Sequence, residues 1–393
     1  MTPGVINPAD NPLAPAFYQL LAHNFGPTIG PLLVGFVVTV VLIYPVRWLS
    51  FRLGAVARPG GRHIHDHPTA RLGGLALAAG FLAAALAFAA RGHLDGRMVT
   101  LLAITAATAV VLALDDIVQL RARDKLVLQF VLALSVPVLG AWLASDGLAI
   151  KSIYLGGGHH LELGYLAIPV TVVWLMGMQN TMNLLDGVDG LAGGVAAIVA
   201  TALLLAAVNR EAASPDAATT VLLCAGLVGA CLGFLLFNFH PARIFMGDSG
   251  SHFLGMAIGI LSIFGIAKGA VVFALVVPLA ALSIPIIDTG WAIVRRRRQR
   301  LSIAHPDTAH VHHQLLDFGL SHREICLVFY FATGITSGLG LMLFGHRKIL
   351  AVVVVLLVVA LSTLLGDRLY EVENRTGATP SATAGKSGRL LES

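Results

Sequence analysis

Residues 165–208 read YLAIPVTVVWLMGMQNTMNLLDGVDGLAGGVAAIVATALLLAAV, two apolar runs joined by a short segment of acidic, amide and glycine residues. A helix needs about 20 apolar residues to cross the hydrocarbon core of a bilayer. Both runs are close to that length, and the glycines between them favour a tight turn. The stretch therefore predicts a membrane hairpin with polar side chains gathered at one face.

The same alternation continues through the whole chain, which is 56% hydrophobic and only 12% charged. Soluble domains usually contain about 25% charged residues. We therefore expect an all-α polytopic membrane protein, with residues 1–370 forming one integral membrane domain. Residues 371–393, rich in Gly, Ser, Thr and Ala, are predicted to be a disordered cytoplasmic tail. About 11 transmembrane helices are predicted, at 31–50, 72–90, 99–115, 126–144, 165–183, 190–208, 219–239, 251–267, 270–294, 325–345 and 348–366.

The basic residues predict the orientation of these spans. If the N-terminus lies outside, 19 of the 26 Lys and Arg residues fall in inside segments, as positive charge in short loops usually does. The expected topology is N-out and C-in. The run Arg295–Arg298 is its firmest anchor, and a phosphate-attracting role for this run remains open. Residues 1–30 contain no Lys or Arg, so the first span is expected to be retained rather than cleaved as a signal peptide.

Several function classes find no support in the sequence. The three cysteines lie in apolar runs without CxxC or zinc-ligand spacing, which argues against a disulfide scaffold. No G-x-x-x-x-G-K-[ST] loop is present, so ATP hydrolysis by a P-loop is not expected. A nucleic acid partner is not expected either.

Polar residues of the spans gather at the predicted inner face. Acidic groups at membrane depth are costly and tend to mark function. The residues concerned are Asp115 and Asp116 after the third span, Asn183, Asp186 and Asp189 after the fifth, Asp248 after the seventh, Asp288 late in the ninth, and His310, His312 and His313 beyond it.

The stretch ALDDIVQLRARDK, residues 113–125, ends an apolar helix with two adjacent carboxylates. Neighbouring helical positions point about 100° apart, so Asp115 and Asp116 need not share one face. One of them can meet a metal or a phosphate while the other is held by a neighbour. A solvated helix end with balanced charge is the structural alternative.

Two further stretches carry oxygen ligands. In NTMNLLDGVDGLAGG, residues 180–194, Asn183, Asp186 and Asp189 recur every third residue, and such ligands suit Mg²⁺. In FNFHPARIFMGDSGSHFLG, residues 237–255, Asp248 lies where a new helix begins, and free N–H groups at such a start favour an anion. Phe245 is placed either to stack on a base or to pack against lipid or core.

Two loops offer contacts to phosphate. Four histidines occur within nine residues of HPDTAHVHHQLLDFG, 305–319, without a strong zinc spacing, which favours phosphate contacts over a structural metal. The stretch RPGGRHIHDHPTARLGG, 58–74, is either a phosphate-binding loop or an ordinary basic loop at the membrane.

These motifs resemble those of the polyprenyl-phosphate N-acetylhexosamine-1-phosphate transferases, over residues 58–320 and in the family's order. The matching stretches are HPTARLGG (67–74), DDIVQLRARDK (115–125), NLLDGVDGLAGG (183–194), FNFHPARIFMGDSGS (237–251), PIIDT (285–289) and HVHHQLL (310–316). Ala70 stands where the family more usually has Pro. The Pro-Asp-x-x-His-x-His-His pattern looks more like the WecA/TagO-like branch than the related MraY branch, so a phospho-N-acetylmuramoyl-pentapeptide transferase is the alternative.

The resemblance implies an activity and a place. It implies ten or eleven helices with a cytoplasmic-facing active-site cleft in the bacterial inner membrane, a UDP-N-acetylhexosamine donor, GlcNAc by default, and undecaprenyl phosphate as acceptor. UMP and undecaprenyl-diphospho-sugar would be the products, made for a cell-envelope glycan. The cofactor would be Mg²⁺, with Mn²⁺ as a substitute, and a homodimer is expected by family analogy.

The resemblance also implies roles for individual residues. Asn183 and Asp248 would be the metal ligands, and Phe245 and Asp189 would hold uracil. Asp115 or Asp116 would orient or deprotonate the lipid phosphate. The remaining expected site residues are Lys125 and Asp186 among the catalytic groups, and His310, His312, His313, Arg71 and Asn180 among the substrate-binding groups.

Functions of other classes fit the same residues less well. A cation-coupled transporter suits many helices with membrane-depth acids, but its acids should lie near the midplane rather than at one face. An intramembrane aspartyl protease leaves the asparagines and histidines unexplained. A CDP-alcohol phosphotransferase lacks its expected Ala-Arg pair and later aspartates. For the transferase, direct attack by the lipid phosphate is favoured over a covalent aspartyl-phosphate.

Overall fold

The computed structural model describes residues 13–57, 68–89, 95–144, 147–156, 159–208, 215–264 and 320–342. Helices dominate these ranges, as predicted. They are α1 (Leu13–Leu53), α2 (Gly73–Ala89), α3 (Gly96–Val118), α4 (Ala122–Leu143), α5 (Ala167–Leu185), α6 (Leu191–Val208), α7 (Pro215–Asn238), α8 (Gly247–Phe264) and α9 (His322–Met342).

Six of the described helices, namely α1, α3, α4, α6, α7 and α9, are long and apolar enough to cross a membrane. Helix α2 is apolar but shorter, and α5 and α8 form where spans were predicted while carrying polar residues near one end. The chain is therefore a helical, multi-pass membrane protein. The predicted spans 270–294 and 348–366, with Asp288 and Arg295–Arg298, lie outside the described residues, as does the predicted tail.

Two short strand pairs join the helices, which an all-α expectation did not include. Strand β1 (Val56–Ala57) pairs antiparallel with β2 (Thr69–Ala70), and β3 (Ser152–Gly156) pairs antiparallel with β4 (His159–Glu162). Backbone polar groups in chain reversals need partners, and these ladders provide them. Ala70 also bridges Ile244 in parallel, which ties the stretch HPTARLGG (67–74) to the α7–α8 connection.

Helix α8 lies at the centre of the described helices. It packs mainly against α3 and α5, and also against α2, α6 and α7. Nearly all its side chains are buried, Asp248 and Ile263 being the partly exposed ones. A helix that is apolar around most of its circumference is suited to such a position. Its N-terminal turn therefore opens among the ends of neighbouring helices.

Helix α2 approaches this turn closely because both helices carry glycine at the contact. The amide of Gly74 donates to the carbonyl of Met246 at 2.9 Å. A β-carbon on Gly74 would overlap the backbone of Gly250, and one on Gly250 would crowd Gly74. Gly74 of the stretch HPTARLGG (67–74) thus permits backbone contact with the α8 start.

We expect Gly74→Ala to lower the free energy of unfolding by about 1–3 kcal/mol, since overpacking a close contact forces the backbones apart. Thermal unfolding of the detergent-solubilised protein measures it. Gly177→Ala is the matched control, because nothing lies near its added methyl group and Ala is the better helix former. Equal unfolding temperatures for the two variants would contradict the close contact.

Candidate active site

Three helix ends meet beside the start of α8. The C-terminal end of α3 brings Asp115 and Asp116, the first turn of α4 brings Lys125, and the C-terminal end of α5 brings Asn183. All lie within hydrogen-bond or ion-pair reach of the first turn of α8 or of one another. Of the polar residues predicted to gather at one face, Asp115, Asp116 and Asn183 lie around Asp248 in the structure.

Asp116 caps helix α8. Its two carboxylate oxygens accept hydrogen bonds from the backbone amides of Asp248 and Ser249, both at 2.9 Å. Its side chain is fully buried, and the Arg71 guanidinium lies 3.7 Å from Oδ1. The anion expected at this helix start is therefore a carboxylate of the protein itself. Because both oxygens are engaged, the geometry favours a positioning role for Asp116 over contact with a lipid phosphate.

Gly247 makes this cap possible. Its φ of +68° lies in the left-handed region, which side chains with a β-carbon rarely adopt. A β-carbon there would also lie 2.5 Å from each Asp116 carboxylate oxygen and would overlap the carbonyl of Arg71. The glycine before Asp248 thus meets both a conformational and a steric requirement.

Asp115 faces the other way, as the 100° separation of adjacent helical positions permits. Its Oδ1 accepts from the amide of Leu120 at 2.7 Å, and its Oδ2 lies 2.7 Å from the Lys125 ammonium. Gln119, with φ 57°, turns the chain around this carboxylate. Asp115 is only 3% exposed, so Lys125 is needed to balance its buried charge.

Lys125 joins the two carboxylates that the sequence places 133 residues apart. Its ammonium contacts Asp248 Oδ2 at 2.5 Å in addition to Asp115. About a quarter of the Lys125 side chain stays exposed, against 15% of that of Asp248. The ammonium is therefore held in place by two carboxylates on a side chain that is not fully buried.

Asn183 completes the cluster. Its Nδ2 donates to Asp248 Oδ1 at 2.7 Å and to Ser251 Oγ at 3.1 Å. Asn183 and Asp248, predicted as metal ligands, are thus adjacent in space. Among the described residues no group of three or more His, Cys, Asp or Glu side chains is arranged to hold a metal by itself. Mg²⁺ is usually held by one or two carboxylates together with water and substrate phosphates, so this donor set fits a shared ion.

Asp186 follows α5 directly and lies partly buried beside the cluster. Burial, reinforced by the negative charges of Asp248 and Asp116, raises the pKa of its carboxyl well above the usual range, while Arg71 opposes the shift. Burial and the neighbouring carboxylates therefore both favour the neutral, protonated form of Asp186 or a cation beside it.

Asp189 is held by the α7–α8 connection. Its Oδ2 lies 2.9 Å from His240 Nδ1 and accepts from the amide of Ala242 at 3.1 Å. Helix α9 contacts the same turn through Tyr330, whose hydroxyl donates to the carbonyl of Gly190 at 2.6 Å. Holding uracil stays a prediction for Asp189; in the structure its carboxylate joins two loops.

Phe245 links the stretch HPTARLGG (67–74) to the stretch FNFHPARIFMGDSGS (237–251) through its backbone. Its amide donates to the carbonyl of Ala70 at 2.8 Å, and its carbonyl accepts from Gly73 at 3.0 Å. The side chain is partly exposed, as a base-stacking role requires. Arg71 directly follows strand β2 and lies beside Asp116. The Arg71 side chain is 31% exposed.

Sequence reasoning missed two buried residues behind the cluster, Gln129 of α4 and His252 of α8. Their side chains contact each other at 2.6 Å, and Asn180 donates to Gln129 Oε1 at 3.1 Å. A signal existed, since each is a polar residue within an apolar run, four positions after Lys125 or Asp248. The predicted residues His310, His312 and His313 lie outside the described residues.

Comparison with known proteins shows which family the sequence resembles. The family described as Glycosyl transferase family 4 matches residues 98–266. A probable undecaprenyl-phosphate N-acetylglucosaminyl 1-phosphate transferase of Bacillus subtilis (strain 168) is 38% identical over 304 residues, covering 76% of this chain and 81% of the relative. A decaprenyl-phosphate N-acetylglucosaminephosphotransferase of Mycobacterium tuberculosis (strain ATCC 25618 / H37Rv) is 36% identical over 378 residues, covering 86% and 91%.

A more distant relative bears a different name. The phospho-N-acetylmuramoyl-pentapeptide-transferase of Pelotomaculum thermopropionicum is 33% identical over 317 residues, covering 76% of this chain and 92% of the relative. The match to family 4 spans α3 to α8, and therefore includes Asp115, Lys125, Asn183 and Asp248.

Proposed function

The chain belongs to glycosyl transferase family 4, among the polyprenyl-phosphate N-acetylhexosamine-1-phosphate transferases, and from that premise we propose its reaction. It transfers GlcNAc-1-phosphate from UDP-GlcNAc to undecaprenyl phosphate and releases UMP. The observation that carries the proposal is the meeting of Asp115, Lys125, Asn183 and Asp248 from four helices. The higher identity to the two N-acetylglucosamine enzymes favours this sugar over a muramoyl-pentapeptide.

Mg²⁺ is the proposed cofactor, with Asn183 and Asp248 as the residues that would hold it and Mn²⁺ as a substitute. When bound, the ion would neutralise charge on the pyrophosphate of the donor. Burial and the negative charges of Asp248 and Asp116 raise the pKa of the nearby Asp186 carboxyl, and a bound cation would offset this accumulation of acidic groups. Asp116 supports the proposed metal site indirectly, because the hydrogen bonds that its carboxylate accepts from the α8 amides orient Asp248.

The proposed chemistry is displacement at the sugar-bearing phosphorus. An oxygen of the lipid phosphate forms the new bond to that phosphorus, the bond to the bridging oxygen breaks, and UMP leaves with the electron pair. Phosphoryl transfer depends mainly on positioning and charge neutralisation. Lys125 offers an ammonium for the phosphates, and Asp115 holds that ammonium in place.

Direct attack requires no strong general base in this scheme. The acceptor phosphate has a second pKa of about 6 and is largely ionised at neutral pH. Asp115 is bonded to Leu120 and to Lys125, and Asp116 to two amides, which supports orienting roles over nucleophilic ones. Trapping a phosphorylated aspartate with donor alone would contradict direct attack.

The proposed setting is the bacterial inner membrane, with eleven spans, the N-terminus outside and the cluster at the cytoplasmic face. The bias of Lys and Arg supports this orientation. The clustering of α3, α4, α5 and α8 ends supports a single face for the site. A homodimer is proposed by family analogy.

The function is tested with the purified full-length protein in detergent, undecaprenyl phosphate and a panel of UDP-sugars, by measuring UMP release. We expect release with UDP-GlcNAc that depends on the lipid, stops with EDTA and returns with Mg²⁺ or Mn²⁺. Preference for UDP-MurNAc-pentapeptide would assign the chain to the phospho-N-acetylmuramoyl-pentapeptide transferases instead. Absence of UMP with every donor would contradict the transferase and favour a transporter.

A further inference from the structure

Two matched contacts join helices α4 and α8. Lys125 Nζ lies 2.5 Å from Asp248 Oδ2, and Gln129 Nε2 lies 2.6 Å from His252 Nε2. Gln129 follows Lys125 by four residues, and His252 follows Asp248 by four. Residues four apart lie on the same helical face, so the second contact lies one turn below the first.

The second contact is buried and has a defined hydrogen-bond direction. His252 Nδ1 lies 2.9 Å from the carbonyl oxygen of Asp248, which only accepts, so Nδ1 carries the proton. In the neutral ring Nε2 is then an acceptor, and it accepts from the Gln129 amide nitrogen. His252 is 0% exposed and Gln129 2% exposed, so water does not satisfy these groups.

Asn180 fixes the other end of this chain of bonds. Its Nδ2 donates to the Met176 carbonyl at 2.8 Å and to Gln129 Oε1 at 3.1 Å. Reversing the Gln129 amide would set nitrogen against nitrogen at Asn180, and reversing Asn180 would set oxygen against the Met176 carbonyl. Backbone carbonyls at both ends therefore leave one consistent arrangement, which ties α5, α4 and α8 together.

We propose that Gln129 and His252 are positioning residues of the transferase, which hold the Lys125 ammonium in register with the Asp248 carboxylate. The proposal rests on the proposed function. Neither side chain touches the reacting groups; they act through the helices that carry Lys125 and Asp248. Because apolar contacts are non-directional, Leu side chains can fill the same space without fixing this register.

Comparing the stability and the kcat of single and double variants distinguishes a positioning role from a purely structural one. Removing one partner leaves a buried polar group unsatisfied, whereas replacing both by apolar groups is nearly neutral for stability. The single variants Gln129→Leu and His252→Leu should therefore unfold at lower temperature, and the double variant should recover much of that loss. A positioning role predicts that kcat does not recover with it.

The experiment measures kcat, KM for UDP-GlcNAc and the unfolding temperature of the full-length protein, with rates taken below each unfolding transition. We expect kcat to fall about 10–100-fold in both single variants and in the double variant. KM is expected to stay within about threefold, because the loss falls on the transition state. Ser262→Ala is the control: it removes a buried α8 hydroxyl that accepts from Trp174 at 3.1 Å, and it should keep wild-type kcat.

Two results would overturn the proposal. Single variants with the kcat of Ser262→Ala would remove any positioning role, and so would recovery of kcat together with stability in the double variant. If the double variant does not fold, the kcat and KM of the single variants relative to Ser262→Ala decide the question. Failure of the proposed function is distinct, because the wild-type protein would then release no UMP.

Discussion

Asp248→Asn is expected to reduce turnover by at least about 100-fold while the protein stays folded. The substitution removes the charge that faces Lys125 at 2.5 Å and the carboxylate beside Asn183 at 2.7 Å. The cap by Asp116 persists, because it uses backbone amides rather than the Asp248 side chain. UMP release and thermal unfolding of the same preparation measure both effects.

The control for this variant is Asp95→Asn. Asp95 caps the N-terminus of α3, at the opposite end of that helix from Asp115, by accepting from Met98 at 2.8 Å. Asn caps helices about as well as Asp, so stability and activity should both persist. Near-normal turnover in Asp248→Asn would exclude Asp248 as a metal ligand.

Lys125→Met is expected to abolish most activity and to lower the free energy of unfolding by about 2 kcal/mol. Removing one partner of a buried ion pair costs about 3–5 kcal/mol, and the partial exposure of Lys125 reduces that cost. The variant leaves the carboxylates of Asp115 and Asp248 without their shared cation. UMP release and thermal unfolding provide the measurements.

A second variant separates charge balance from chemistry. Lys125→Met combined with Asp115→Asn removes one positive and one negative charge, so stability should recover while activity stays low. Arg123→Met is the control, because Arg123 is exposed two residues away and such surface changes usually alter stability by less than about 0.5 kcal/mol. Activity of Lys125→Met equal to that of Arg123→Met would exclude contact between Lys125 and a substrate phosphate.

Much of the site was accessible from local sequence. The sequence marked Asn183 and Asp248 as oxygen-bearing residues at helix ends, and the family resemblance paired them as metal ligands; the structure brings the Asn183 amide nitrogen within 2.7 Å of an Asp248 carboxylate oxygen. The sequence could not distinguish Asp115 from Asp116, since both end the same helix. Their different partners, Lys125 for one and the α8 amides for the other, depend on how α3 packs beside α8.

The residues that were missed had signals too weak to interpret alone. Gln129 and His252 are isolated polar residues in apolar runs, and either one is compatible with a local bond to its own helix. Their role can be inferred only from the contact between their side chains, which joins positions 123 residues apart. His240 likewise acquires a role only because Asp189, 51 residues earlier, lies beside it.

By itself the sequence determined the apolar helices and the polar character of their ends, because hydropathy over about 20 residues and turn-forming glycines are local properties. Tertiary structure alone decided which ends meet, which carboxylate caps α8 and which one holds Lys125. Those pairings depend on the rotation and register of packed helices. Contacts between distant segments set both the rotation and the register. The glycines at the α2–α8 contact allow these two helices to approach closely.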